Sequence, residues 1–139
     1  MAKKASITWL KNRQFGGTDS TKHAVVMSSQ DEANGVGMSP SQLLLVALGG
    51  CTAYDVVNIL GKKREPLTGL EVHVTGHQDE DPPWTYRRIH IEYVLTGDGL
   101  SEKAVRDAIE LSEEKYCSVA ATLRGKAEIT YGYSIVDGE

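Results

Sequence analysis

Ser39-Pro-Ser-Gln-Leu-Leu-Leu-Val-Ala-Leu-Gly-Gly-Cys51 decides how the rest of this chain is arranged. Ser39 offers an oxygen to cap a helix, Pro40 suits a first turn where its missing N–H costs nothing, and Gln42 stands where a capping box places Glu or Gln. From Leu43 toward Leu60, Leu44, Ala47, Leu48, Cys51 and Asp55 recur at three- and four-residue steps, while Leu45 and Val46 cover other faces. A helix apolar nearly all round belongs at the centre of a fold, contacted from several directions. Gly49 and Gly50 weaken it by roughly 1 kcal/mol each but permit close approach of another backbone. Gly61 is the expected end. Because one small layer cannot cover such a helix, a homodimer whose partner completes the core is expected.

Strand-like segments surround this helix. Ala5 to Lys11 alternates loosely, and His23-Ala-Val-Val-Met27 follows a glycine turn at Gly16-Gly17, which suggests a hairpin or meander. Ser28 to Gly37 reads as a surface loop. Downstream, Leu70 to Thr75 and Ile89 to Leu95 alternate cleanly, the latter with Ile89, Ile91, Tyr93 and Leu95 on one face, and the turn residues between them favour an antiparallel pair. Ser101 caps a second helix with Val105, Ala108, Ile109 and Ser112 on one side, which bends or restarts around Tyr116-Cys117-Ser118. Glu128 to Ile135 supplies a last strand. The order implies one α+β domain spanning 1–139 with mainly antiparallel sheets.

The sequence carries 40% hydrophobic and 24% charged residues, a balance that belongs to a folded globular chain. A net charge of −4 gives no general attraction for nucleic acid or anionic membrane. The run Lys62-Lys63-Arg64 follows a helix and complements its C-terminal dipole. Met1-Ala-Lys-Lys leads into a strand rather than an apolar signal core, and the run Leu43 to Gly50 falls short of the roughly 20 residues a bilayer needs. A cytoplasmic protein, with no membrane partner, is therefore expected. No phosphate-loop pattern occurs, and His23, His73, His77 and His90 lack ligand spacing, so neither a metal nor a bound cofactor is expected.

Two cysteines remain. Their separation excludes a local CxxC pair, and a cytoplasmic setting disfavours a permanent disulfide. Cys51 within its helix is either inert packing or a sheltered nucleophile; buried cysteine commonly packs as a small hydrophobe. Cys117, after Lys115 and Tyr116, sits in a less hydrophobic setting that favours access or the resolution of a sulfenic acid. Asp55, one turn after Cys51, would raise the thiol pKa unless it is paired, so a structural hydrogen bond is the better reading for it than base catalysis.

Ser39 to Cys51-Thr with Tyr54-Asp-Val-Val, followed far downstream by Tyr116-Cys117-Ser118 and Leu123-Arg-Gly125, resembles the OsmC/Ohr superfamily of thiol peroxidases, and its YhfA-type branch most nearly. The resemblance spans about Trp9 to Ile135. It implies an OsmC/Ohr-like α+β fold: an intertwined homodimer of long central helices wrapped by antiparallel sheets, with active sites at the interface. It further implies that Cys51 attacks the O–O bond of an organic hydroperoxide and that Cys117 resolves the sulfenic acid to a disulfide. An external dithiol, lipoyl-type in some branches, would restore the pair. The family glutamate that pairs with the thiolate-activating arginine is replaced by Ser41, which cannot hold a guanidinium by a bidentate charged pair. Arg13 is the candidate arginine. Ser41, Thr52, Tyr54, Trp84 and Tyr116 are the candidate pocket residues. The competing reading is a redox-sensing or non-enzymatic protein that binds a small apolar ligand in the same pocket.

Overall fold

The computed structural model describes residues 1–138, which divide into two units, residues 1–44 and residues 45–138. In the first, β1 (Ala5–Lys11), β2 (Gln14–Asp19) and β3 (Ala24–Ser28) form an antiparallel meander in that order. The expected turn at Gly16-Gly17 is thereby corrected: both glycines lie inside β2, and the chain reverses at Asn12, whose φ is 49°. Glycine serves the strand because a Cβ on Gly17 would lie 3.1 Å from Met27 Cε. The second reversal is tied by Asp19, whose carboxylate accepts the backbone N–H groups of Thr21 and His23. Ser28 to Gly37 is the loop that was expected, pinned by the Ser28 hydroxyl between the Gly37 N–H and carbonyl. Every residue of β1 is exposed, and Met27 is the unit's one buried hydrophobic side chain.

Helix α1 (Pro40–Lys62) starts as its sequence requires, with Ser39 Oγ accepting the Gln42 N–H at 3.3 Å. It does not stop at Gly61. Arg64 takes the left-handed conformation (φ 58°), its N–H bonds the Gly61 carbonyl, and the Glu65 N–H bonds the Leu60 carbonyl, closing a Schellman motif without glycine. At 23 residues α1 is long and apolar enough by length and composition alone to cross a bilayer, a test that the core helix of a globular fold also passes. Its Leu48, Thr52, Val56 and Leu60 are nevertheless closed within the protein core.

In the second unit β4 (Leu67–Gln78) and β5 (Tyr86–Gly97) pair antiparallel, and β6 (Glu128–Asp137) joins the far side of β5. The β5–β6 pairing is parallel, the exception to the mainly antiparallel pairing that was expected and that the other strand pairs show. The cause is the connection. Helix α2 (Glu102–Leu111), a π-helical turn (Ser112–Tyr116) and α3 (Ser118–Leu123) carry the chain back across the sheet, as parallel neighbours require. Ile89, Ile91, Tyr93 and Leu95 of β5 meet Leu48, Val56 and Leu60 of α1 and Val105, Ala108 and Ile109 of α2 in one core. Each large aliphatic side chain buried there contributes roughly 1.5–3 kcal/mol. Gly49 lets α1 approach β4 closely, since a Cβ there would lie 3.0 Å from Val74 Cγ2.

Two glycines separate space from propensity. A Cβ at Gly97 would lie 2.3 Å from the Pro66 carbonyl oxygen, whereas one at Gly61 meets nothing within 4 Å. Gly97→Ala should lower unfolding stability by about 1–3 kcal/mol, and Gly61→Ala should raise it by up to about 1 kcal/mol, both read from urea midpoints.

Candidate functional site

Cys51 and Asp55 lie one helical turn apart on α1 and therefore share a face. Cys117 is brought to that face by the irregular helical crossover. Through Ser112–Tyr116 the backbone widens to a π-helical turn, with the Cys117 N–H bonding the Ser112 carbonyl at 2.8 Å, and the chain restarts at α3 with Cys117 as its cap. The expected break around Tyr116-Cys117-Ser118 is therefore present. The Cys51 and Cys117 sulfurs and an Asp55 carboxylate oxygen all lie within 4.8 Å of one another.

The two thiols, both free, differ in environment. Cys117 is only 2% exposed and Cys51 is half-buried, which reverses the expectation that Cys117 is the more accessible. As the α3 cap, Cys117 turns its side chain inward, where its sulfur accepts the Ala120 N–H at 3.4 Å. Burial pushes the Cys117 thiol up to about 12, against that N–H and with the help of the Cys51 contact and the Glu113 charge. Cys117 is a protonated thiol at neutral pH.

Behind the sulfurs runs a buried chain of polar groups. Ser112 Oγ donates to Asp55 Oδ2 at 2.8 Å, which gives Asp55 the structural hydrogen bond expected of it. Ser112 Oγ also meets Thr52 Oγ1 at 2.9 Å; Thr52 Oγ1 is hydrogen-bonded to the Tyr93 hydroxyl, and Tyr93 OH donates to Glu113 Oε1 at 2.6 Å. Burial and the Glu113 carboxylate hold the Tyr93 phenol far above its ordinary pKa. Glu113 itself is 2% exposed; Arg124 donates to its backbone carbonyl at 2.6 Å and stands 3.9 Å from Oε2, an oxygen with no hydrogen bond.

The residues singled out in the sequence lie on several elements of the two units. Thr52 belongs to the buried polar chain. Tyr116 lines a cavity of about 480 Å³ together with Asp55, Asn58, Lys62 and Leu111. Tyr54 is 73% exposed on α1, and Trp84 is exposed on the β4–β5 loop. In the first unit, Ser41 occupies the first turn of α1, and Arg13 sits exposed in the β1–β2 turn, 4.0 Å from Asp31. Ser112, Glu113 and Arg124 were not read as site residues, and Tyr93 was read only as core. Two signals point to them: a tyrosine on a core-facing strand position, whose hydroxyl needs a partner, and a core-facing serine beside an acid just before Cys117.

A family model described as OsmC-like protein matches residues 31–132. Protein YhfA of Escherichia coli is 37% identical over 134 residues, covering 95% of this chain and 97% of that protein. An OsmC-like protein from Mycoplasma pneumoniae superposes with a TM-score of 0.85 at 16% identity, covering 98% of both chains. An organic hydroperoxide resistance protein OsmC from Legionella pneumophila superposes with a TM-score of 0.67 at 12% identity, over 96% of this chain and 97% of the other. The last two likenesses establish the shared fold.

Tyr93→Phe removes the hydroxyl that donates to Glu113 and leaves a buried carboxylate oxygen without its shortest hydrogen bond. The variant should lose about 1–3 kcal/mol of stability in urea unfolding. Wild-type stability in Tyr93→Phe would mean that the Thr52 hydroxyl alone satisfies that oxygen.

Proposed function

This chain belongs to the OsmC-like protein family, and we propose from that premise that it is a peroxide-directed thiol reductase acting on organic hydroperoxides in the cytoplasm. One observation carries the reading: two free thiols, one half-buried and one enclosed, lie within 4.8 Å on separate elements of the same core. The half-buried Cys51 is the attacking group. Its thiolate forms an S–O bond with the terminal peroxide oxygen as the O–O bond breaks; the departing alkoxide takes a proton and leaves as the alcohol, and Cys51 becomes a sulfenic acid. The Cys117 sulfur then attacks Cys51, the S–O bond breaks, and the hydroxide leaves as water with the Cys117 proton. An external dithiol returns two electrons and two protons to restore both thiols. Because the disulfide needs the sulfurs at about 2.05 Å, the second step brings them together by at most about 2.7 Å. A Cys117 held protonated suits the waiting role, since it does not compete for peroxide.

Arg13 is the guanidinium assigned to peroxide activation in this reading, and Ser41 lacks the carboxylate that would anchor it. Homodimerisation is part of the same proposal. Val46, Tyr54 and Val57 stand exposed along α1, and the first unit's sheet has Ile7, Trp9 and Val26 exposed with one buried hydrophobic side chain in the unit. Apolar surface of that extent is what a partner copy would cover. A second reading, an apolar-ligand carrier, is favoured by a groove of about 410 Å³ lined by Leu45, Gly49, Ala53, Leu70, Val72 and Val74.

Turnover of an organic hydroperoxide with a dithiol separates the two. Cys51→Ser should lose it entirely. Cys117→Ser should complete one turnover and accumulate a sulfenic acid trappable by a dione reagent. Undiminished turnover in Cys51→Ser would refute the Cys51 mechanism, and no turnover in the wild type together with a copurifying apolar ligand favours the carrier. Light scattering at micromolar concentration should give twice the 15.1 kDa chain mass; a monomer would refute the dimer.

A further inference from the structure

We propose that Cys51, Asp55 and Cys117 form a binding site for a thiophilic divalent cation of the zinc class, whether or not the thiol pair also reduces peroxides. The four histidines are scattered and point to no metal; the fold assembles a different donor set. Two sulfurs and a carboxylate oxygen already lie within 4.8 Å of one another. Tetrahedral zinc, with bonds of about 2.3 Å to sulfur and about 2.0–2.2 Å to oxygen, places such atoms roughly 3.5–3.8 Å apart. Side-chain adjustments of about an ångström, without backbone movement, close that difference.

The surroundings favour a cation. When both thiols are ionised, three anionic groups crowd one volume, and among the described residues Asp55 forms no salt bridge. Arg124 is engaged with Glu113. With a cation bound, the same three groups become its ligands. Supporting hydrogen bonds are in place as well. Ser112 Oγ orients the Asp55 carboxylate at 2.8 Å, and the Ala120 N–H points at the Cys117 sulfur at 3.4 Å. Partners of this kind fix ligand geometry in metal sites.

Donor chemistry selects the metal. Two thiolates exclude Mg²⁺ and Ca²⁺, which take oxygen ligands, and favour Zn²⁺, Cd²⁺ or Co²⁺. Three protein ligands leave the fourth tetrahedral position free. Asp55 also lines the cavity of about 480 Å³ that Tyr116 and Lys62 share, which gives water or a small thiol a place from which to fill that position. Metal binding releases the thiol protons and occupies both sulfurs, so a bound cation protects them from oxidation and competes with peroxide.

Co²⁺ titration of the reduced, metal-free protein is the test, with Zn²⁺ then displacing Co²⁺ in competition against a chromophoric chelator. One equivalent per chain should bind, with a thiolate-to-cobalt charge-transfer band in the near ultraviolet. Cys51→Ser should abolish the band, and Asp55→Asn should weaken Zn²⁺ affinity by about tenfold or more. Alkylating both thiols of the folded wild type should also abolish binding, a control that needs no folded variant. The proposal is overturned by absence of a charge-transfer band in the wild type, by a band that survives Cys51→Ser or alkylation, or by equal affinity in Asp55→Asn. Because no peroxide is present, failure here leaves the peroxidase reading standing, and loss of peroxidase activity leaves this one standing.

Discussion

The contact between Thr52, Tyr93, Ser112 and Glu113 holds the second unit in register. They come from three parts of the chain: the middle of α1, the centre of β5, and two successive positions of the π-helical turn. All four are buried in a core otherwise built mostly of apolar side chains. Hydrophobic burial supplies most of the stability but is indifferent to small shifts along a helix axis. Hydrogen bonds at 2.6–2.9 Å are not, because a buried hydroxyl that loses its partner costs about 1–3 kcal/mol. The polar chain therefore fixes which turn of α1 faces which residue of β5, and so where Cys51 and Cys117 lie.

The hydrogen count along that chain is tight. From Asp55 through Ser112, Thr52 and Tyr93 to Glu113 there are four oxygen-to-oxygen contacts, and the three hydroxyls bring three hydrogens. One contact is short of a hydrogen unless a carboxyl end supplies it. The chain ends at Asp55, beside both sulfurs, and at Glu113, whose second oxygen has no hydrogen bond of its own.

The sequence made the elements legible where one local rule was enough. Ser39 and Ser101 cap the helices they precede, and the alternation of Ile89, Ile91, Tyr93 and Leu95 marks the buried face of β5. Arg64 ended α1 by adopting a conformation that local preference reserves for glycine. Gly16-Gly17 read as a turn but forms a strand, because the space beside Met27 decides there and not intrinsic preference. The parallel placement of β6 depends on the whole crossover, which no strand's own pattern records. At the site, both cysteines were identifiable from the chain alone, but their relative exposure was inverted: an apolar neighbourhood in sequence says nothing of whether a turn points its side chain inward. Glu113 was invisible for the same reason, since only the widened π turn brings two consecutive residues, Ser112 and Glu113, into the core.

The same turn limits how the thiols can approach each other. Cys51 is adjacent to Thr52, and their carbonyls and amides move together on a continuous helix; Ser112 is bonded to Thr52 at 2.9 Å and to the Cys117 N–H through its own carbonyl at 2.8 Å. A rigid translation of α1 toward α3 would break the hydroxyl contacts before the sulfurs met. Rotation about the cysteine side-chain bonds costs far less, since a thiol passes between staggered rotamers without disturbing the backbone. Cys51 is the half-buried partner and has the room to turn, whereas Cys117 is enclosed and held by the Ala120 N–H. Any chemistry that joins the two sulfurs, through a bond or through a shared ligand, is therefore carried by movement of Cys51 against a stationary Cys117.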